Sequence, residues 1–239
     1  MKILKKISIQ SLCLVAVLGV AACSPSVNPA MKTSVDGQVT SIQISPQVYD
    51  GNAPAVGYEA GAWLRYKSVD DKGYPSINTY KLLKSEGNVH TIESVLESYY
   101  NKSSSLIELQ YEFGAPIGSM QILSAVTQID NDTPTVSSSM ELSMMGSMYR
   151  TMIGHLFYRE QNAGTASTQV PAGQFNGCQE KDSTMQIGPM SYSAHSWHHA
   201  AVPMHGMVRS ERTDGKPGTT ELVSFGLTGA RSEILEAMR

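Results

Sequence analysis

Beyond residue 60 the apolar and polar positions alternate in short runs. In AGAWLRYKSVD, Trp63, Arg65 and Lys67 fall on one side and Leu64, Tyr66 and Ser68 on the other. Asp70-Asp71-Lys72-Gly73 follows with turn residues, and PSINTYKLLKS resumes the extended pattern. Glu86-Gly87-Asn88 turns again into VHTIESVLESYY, and LIELQYEF and SMQILSAVTQI continue the series. Period-two runs separated by Gly, Asp, Asn and Pro predict an antiparallel meander. Further strands are predicted at 184–199, 206–212 and 219–226, the last two forming a hairpin across DGKPG, and HLFYREQ (155–161) reads as another strand. The terminal SEILEAMR suits one or two turns of helix.

One segment has a different period. In SSSMELSMMGSMYRTMI, Met140, Met144, Met148 and Met152 recur every four residues, with Met145, Tyr149 and Ile153 beside them. That is helical spacing, and the serines at 137–139 are suited to cap its start. Gly146 weakens the helix by about 1 kcal/mol relative to alanine. Three readings of the methionines stand: packing against the sheet, the adaptable wall of an apolar ligand pocket, or thioether ligands for cuprous copper. The fold class expected is mainly β, with a strongly curved antiparallel sheet or half-barrel around a Met-rich helix.

The N-terminus has its own logic. MKILKK precedes an apolar run that is too short for a stable span and ends in small residues, the layout of a secretory signal over 1–22. Val20-Ala21-Ala22-Cys23 resembles the lipobox of bacterial lipoproteins. In that family the cysteine is diacylated, the chain is cut before it, and the new amino group is usually acylated. The resemblance makes Cys23 a lipidation site and implies a palmitate-type anchor in the cell envelope. Ser24, with no aspartate at that position, favours the outer membrane over the inner by the same analogy. Residues 24–45 are polar, hold two prolines and keep no apolar period. A lipidated cysteine and flexible tether are therefore expected over 23–45, with one globular domain over 46–239.

Composition narrows the function. Loss of residues 1–22 removes three lysines and no acid, which takes the formal charge from −3 to −6. A mildly acidic chain offers no basic stripe for nucleic acid. With Cys13 in the signal and Cys23 acylated, Cys178 is the only remaining cysteine, so the domain has no internal disulfide and depends on its core. Cys178 itself reads as a small buried residue rather than a nucleophile, because nothing electropositive lies beside it in sequence.

Val170-Pro171-Ala172-Gly173, with Phe175 and Cys178, forms a VPAGxFxxC pattern. Downstream come Trp197, Val202-Pro203 with Gly206, Val208 and Arg209, and Glu221-Leu222-Val223 with Phe225 and Gly226. Over residues 170–229 the chain resembles bacterial envelope lipoproteins whose curved sheet is similar to the lipoprotein-carrier (LolA/LolB-like) half-barrel. The resemblance implies that fold and, through it, carriage of an acyl chain; no segment matches a carrier's own ligand contacts. Read physically, VPAG is a turn between two strands.

Four of the six histidines lie in HSWHHAAVPMHG: His195, His198, His199 and His205. On a strand, His195 and His199 share a face about 13 Å apart, and His198 and His199 point to opposite faces. No Asp or Glu occurs between Asp182 and Glu211, so a local carboxylate is missing, and HExxH, GxSxG, P-loop and GxGxxG patterns are absent. The histidines therefore read as structural or surface groups, and neither metal, cofactor nor catalytic residue is expected. The leading expectation is a non-enzymatic, membrane-anchored lipoprotein that binds an apolar ligand or an envelope partner. The alternatives are an envelope metal-dependent hydrolase using the histidines of 195–205, and a structural or assembly lipoprotein without a small ligand.

Overall fold

The computed structural model describes residues 26–157, 164–187 and 190–238, with side chains for all of these but 151, 152, 185–187 and 190. The signal segment and Cys23 lie outside the described residues. In chain order the elements are α1 (Pro29–Thr40), β1 (Val48–Tyr49), β2 (Trp63–Val69), β3 (Pro75–Glu86), β4 (Val89–Glu97), β5 (Lys102–Gln110), β6 (Gln121–Ile129), β7 (Thr135–Val136), α2 (Ser139–Gly154), β8 (Ala166–Val170), β9 (Gly173–Ile187), β10 (Met190–His198), β11 (Met207–Arg212), β12 (Thr219–Gly226) and α3 (Glu233–Ala237). The strands form one open sheet in the order β1-β9-β10-β11-β12-β2-β3-β4-β5-β6-β7, with β8 also against β9. All pairs are antiparallel except β1 with β9. The chain is thus a mainly β fold with a packed helix.

The register sorts side chains to two faces. Leu64, Tyr66, Leu82, Ile92, Ile107, Leu109, Ala125 and Leu222 point to one, where Tyr149, Ile153, Leu156 and Phe157 cover them. This inner face holds the main core. The opposite, outer face carries Trp63, Arg65, Lys67, Lys81, Glu93 and Glu97 and is partly covered by α1 and α3. The strand ends form two rims. One holds the β2–β3 turn, the β4–β5 turn with Tyr99 and Tyr100, and the β11–β12 turn; we call it the tyrosine rim. The other holds the β3–β4 turn and the loop 199–206 between β10 and β11.

The expected tether is not what the structure shows. Residues 29–40 form α1 and pack on the outer face through Val35, which is fully buried. The Asn28 side chain accepts from Ala30 N (3.0 Å) and Met31 N (3.4 Å), and Pro29 occupies the first helical position, where its missing N–H costs nothing. The backbone N–H of Asn28 donates to the carbonyl of Tyr99 (2.8 Å). Tyr99 Oη donates to Asp36, Gln38 donates to Glu97, and Arg65 donates to Gln38 (2.7 Å). The ordered domain therefore begins well before residue 46. No apolar stripe announced α1, because polar bonds rather than a hydrophobic face dock it.

The VPAG turn has a geometric cause. Val170 pairs with Gly173 across Pro171-Ala172, so β8 and β9 form a tight hairpin. Gly173 has φ +139°, and a Cβ there would lie 2.5 Å from the Gln47 carbonyl oxygen, which accepts from Gln174 N (2.9 Å). Only glycine lets β1 approach. Phe175 then stacks on Tyr49 with ring centroids 4.4 Å apart, and Phe175 and Cys178 are both fully buried. The signature residues are thus a turn and two core anchors.

The start of α2 follows its sequence. Ser138 and Glu141 make a reciprocal capping box. Residues 155–157 form a single tight helical turn rather than the expected strand, and the rest of HLFYREQ lies outside the described residues. Leu156 and Phe157 in that turn are buried, so it extends the buried face of α2 instead of adding a sheet edge.

On the outer face a buried carboxylate joins the chain's end to the sheet. Glu93 is fully buried and accepts from Lys81 Nζ (2.8 Å), Glu233 N (3.0 Å), Ile234 N (3.2 Å) and Ser232 Oγ. Lys81 also meets Glu233 (2.8 Å), which meets Lys102 (2.6 Å), and Lys102 lies 3.8 Å from Glu97. Burial alone would lower the Lys81 pKa, but the bonds to Glu233 and Glu93 outweigh it and hold the pKa above the usual lysine value. Burial alone would raise the Glu233 pKa, but Lys102 and Lys81 outweigh it and hold it below the usual carboxylate range. The raised lysine loses its stabilising charge only as pH rises through its folded pKa. The lowered carboxylate loses its own only as pH falls through its folded pKa. Lys81 and Glu233 are therefore both charged at neutral pH. Glu93→Ala should cost about 3–5 kcal/mol in a denaturant melt, because it strands Lys81 and the start of α3. Glu233→Gln, at a half-exposed position, should cost less than about 1 kcal/mol. Equal losses for the two variants would refute this account of the network.

Candidate functional site

The structure separates the histidines of 195–205. His195 lies on the outer face of β10. Its Nδ1 meets Asp182 Oδ1 (2.8 Å) and its Nε2 meets Glu180 Oε1 (3.2 Å), and the ring sits edge-on to Trp197 at 4.5 Å. Sequence reading found no local carboxylate. The β9–β10 hairpin supplies two, because His195 pairs with Asp182 across the strands and Trp197 with Glu180.

The other three histidines belong to the interior. His198 Nδ1 donates to the His205 carbonyl (2.9 Å), and its Nε2 meets Ser196 Oγ (2.9 Å). His199 is buried. Its Nε2 donates to the Asn176 carbonyl (3.1 Å) and its Nδ1 accepts from Ala201 N (3.1 Å), which fixes one tautomer. His199 N also bonds to the Gly206 carbonyl (2.8 Å), so residues 199–206 close on themselves. Val202, Met204 and His205 of this loop are at most 2% exposed. The loop is a plug that fills the second rim of the sheet. Met204 adopts φ +57° within it, an unusual conformation for a methionine that the closed loop imposes.

Among the described residues, no group of three or more His, Cys, Asp and Glu side chains is placed to hold a metal ion. His205 lies near His155 (ring centroids 5.4 Å), Tyr66 (6.0 Å) and His198 (6.4 Å), while His195 is on the opposite face. Tyr66 donates to the Met207 carbonyl (2.7 Å), and burial drives its pKa well above the ordinary phenol value. Burial likewise pushes Tyr80 up to about 12. These phenols stay protonated at neutral pH. At the same rim, His90 sits among Phe113 (4.6 Å), Phe157 (5.5 Å) and the carbonyl of Tyr111 (3.1 Å), and burial lowers its pKa. Burial, helped by the nearby charge of Glu180, pushes the Cys178 thiol up to about 11, and its S–H faces the Phe175 carbonyl (3.6 Å). A thiol in that state is a poor nucleophile.

The methionine face is corrected in part. Met140 and Met144 are 73% and 76% exposed, so they neither pack on the sheet nor enclose a pocket; Met148 is half-buried, and the side chain of Met152 lies outside the described residues. The helix turns its other stripe inward: Leu142, Met145, Tyr149 and Ile153. Both stripes repeat at helical spacing, and a helix can seat only one on the sheet. The stripe through Tyr149 continues into Leu156 and Phe157 and passes over the small Ala125.

Two open grooves remain, the first on the inner face of the sheet. One of about 150 Å³ has Ser68, Ser76, Ser210, Thr220 and Arg212 in its wall. Another of about 310 Å³ runs between Val39, Ile42 and Ile44 on one side and Val170 and Pro171 on the other, over the Lys67–Glu221 pair (3.3 Å).

No protein-family model matches the chain, and no curated protein matches it. Among solved structures it is similar to a Bacteroides fragilis protein named as an exported protein with a YmcC-like fold. Identity is 12%, the match covers 72% of this chain and 97% of that one, and the TM-score is 0.39.

Two outcomes test this description. Ile153→Ala should cost about 2–5 kcal/mol in a denaturant melt, and Met144→Ala should stay within about 0.5 kcal/mol; a large loss for Met144 would put the wrong stripe against the sheet. The Asp182 bond, assisted by Glu180, raises the His195 pKa above the ordinary histidine value. The pair therefore stabilises at acidic pH, and this small surface contribution is lost as pH rises through the folded pKa. In an NMR titration Asp182→Asn should move the His195 midpoint downward, and an unmoved midpoint would show that the contact does not form.

Proposed function

We propose that this chain is a lipid-anchored protein of the bacterial envelope that holds a protein partner, and that it neither turns over a substrate nor carries an acyl chain. The observation that carries this reading is the buried apolar cluster on the inner face. Tyr66, Leu82, Ile92, Ile107, Tyr149 and Ile153 are each at most 1% exposed. Where a carrier would need a hollow, Tyr66, Leu82, Ile92 and Ile107 share one buried cluster with Tyr149 and Ile153 of α2. The lipobox at Val20–Cys23 supports the anchor, and Ser24 favours the outer membrane. Two or more acyl chains give stable attachment where one does not.

The exposed Met140 and Met144 fit the same reading. Unbranched thioether side chains repack against varied shapes, which suits an adaptable contact surface. The hydrolase alternative has less support, since His195 is separated by the sheet from His199 and His205, and the Cys178 thiol and the Tyr80 phenol are held protonated.

Metabolic labelling and a probe titration test the proposal together. Labelled palmitate should enter the wild-type chain and not Cys23→Ala, and the purified wild type should show no saturable binding of a fluorescent fatty acid. Equal labelling of both chains would remove the anchor. Saturable, stoichiometric probe binding would replace partner holding with acyl carriage.

A further inference from the structure

The inner face of the sheet changes character towards the tyrosine rim. On β2 the inward residues Leu64 and Tyr66 give way to Ser68, and on β12 Leu222 gives way to Thr220. On β11 the buried Val208 gives way to Ser210 and then Arg212. Directly across the strands, Ser210, Thr220, Ser68 and Ser76 stand in one register row. This row lines the groove of about 150 Å³, with Arg212 and Asp70 also in its wall.

The hydroxyls of the row are only partly used by the protein. Ser68 Oγ and Thr220 Oγ1 lie 3.0 Å apart and share one hydrogen bond, and Asn78 Nδ2 donates to Ser68 Oγ (3.3 Å). Ser76 and Ser210 flank that pair at half-buried positions, and neither hydroxyl makes a hydrogen bond among the described residues. An apolar ligand would bury these groups without partners, at a cost that its own burial would have to exceed. The groove therefore suits a ligand that both donates and accepts.

The charges in the wall select against an anion. Arg212 Nε donates to Asp214 Oδ1 (3.1 Å) and its Nη2 to Asp214 Oδ2, while the guanidinium lies over the Tyr192 ring at 4.9 Å. That bond holds the Asp214 carboxyl below the usual carboxylate range, so the pair is ionised and has no net charge. Asp70 spends Oδ1 on the N–H groups of Lys72 (2.9 Å) and Tyr74 (2.8 Å) and leaves its negative charge at the groove. Asp214 does not use the Nη1 donors of Arg212, and the Tyr192 ring fixes the guanidinium plane.

We infer that this groove is a subsite for one neutral sugar ring, held by the hydroxyls of Ser76, Ser210 and Thr220 and by the Arg212 guanidinium. Sugar hydroxyls donate and accept as the row requires, carry no charge, and present adjacent oxygens to a planar fork of donors. The groove is smaller than the roughly 300 Å³ at which drug-sized pockets begin, which fits a single ring of a glycan. This site is separate from the apolar cluster and from the exposed methionines of α2, so it adds a ligand to the partner-holding role.

The test is an amide NMR titration of the full mature chain in a sugar-free detergent. Glucose, galactose, mannose and N-acetylglucosamine are added in turn, with inorganic phosphate and trialanine as the competing chemistries. At least one sugar should move the amides of residues 68, 76, 210 and 220 saturably, with a Kd of about the millimolar order expected for so small a ligand, and leave 87 and 88 unmoved. Thr220→Val keeps the branched shape without the hydroxyl and should weaken that binding about three- to tenfold, as should Ser76→Ala. Thr79→Val, on the outer face, should bind as the wild type does. If the spectrum shows that Thr220→Val does not fold, Ser76→Ala decides. No shift with any of the four sugars would overturn the site, as would wild-type affinity in the folded inner-face variants. Stronger shifts of the same amides with phosphate would make it an anion site, and with trialanine a peptide site; either would overturn the sugar assignment and leave the partner-holding reading in place.

Discussion

A carboxylate that cannot reach water organises the outer half of this protein. Glu93 lies in the middle of the sheet with no exposed surface, and four donors satisfy it: Lys81, Ser232 and the backbone N–H groups that open α3. Leaving such a group unpaired is costlier than the pair is worth, so the C-terminal helix has one place to dock. The chain of charges runs on from Glu233 through Lys102 to Glu97, where Gln38 of α1 is bonded. Helices α1 and α3 are thereby tied to the same few strands. The outer face is held by polar bonds with only Val35 and Ile234 fully buried from its helices, whereas the inner face is held by a continuous apolar core.

This division bears on function. An open sheet whose inner face carries a continuous buried cluster has no need of a ligand to complete that core. The rim opposite the tyrosine rim is closed by a loop whose buried histidines serve its own folding, with His199 bonded on both ring nitrogens. What remains available is surface: the exposed side of α2 and the two grooves. A protein so arranged is suited to holding something in place.

The strand meander, the α2 cap and the hairpin of β11 and β12 were legible in the sequence. Alternation and turn residues report on local backbone preference and on one-sided burial, and both are written in neighbouring residues. The Ser138–Glu141 box is likewise local. The VPAG turn was legible as a turn. The reason for its glycine was not, because Gln47, whose carbonyl crowds it, lies far away in the chain.

What only the tertiary structure decided concerns partners distant in sequence. Helix α1 lacked an apolar stripe, and its docking depends on Arg65, Glu97 and Tyr99, which no local window contains. The two stripes of α2 were equivalent by spacing, and the choice of Tyr149 over Met144 was made by the sheet beneath. His195 found its carboxylates through a hairpin register, and His199 its acceptor on a neighbouring strand. The fold class was written in the chain, because period and local motif are properties of adjacent residues. Which faces are buried, where the chain's ends are tied and what each histidine does depend on contacts that exist only once the sheet has formed.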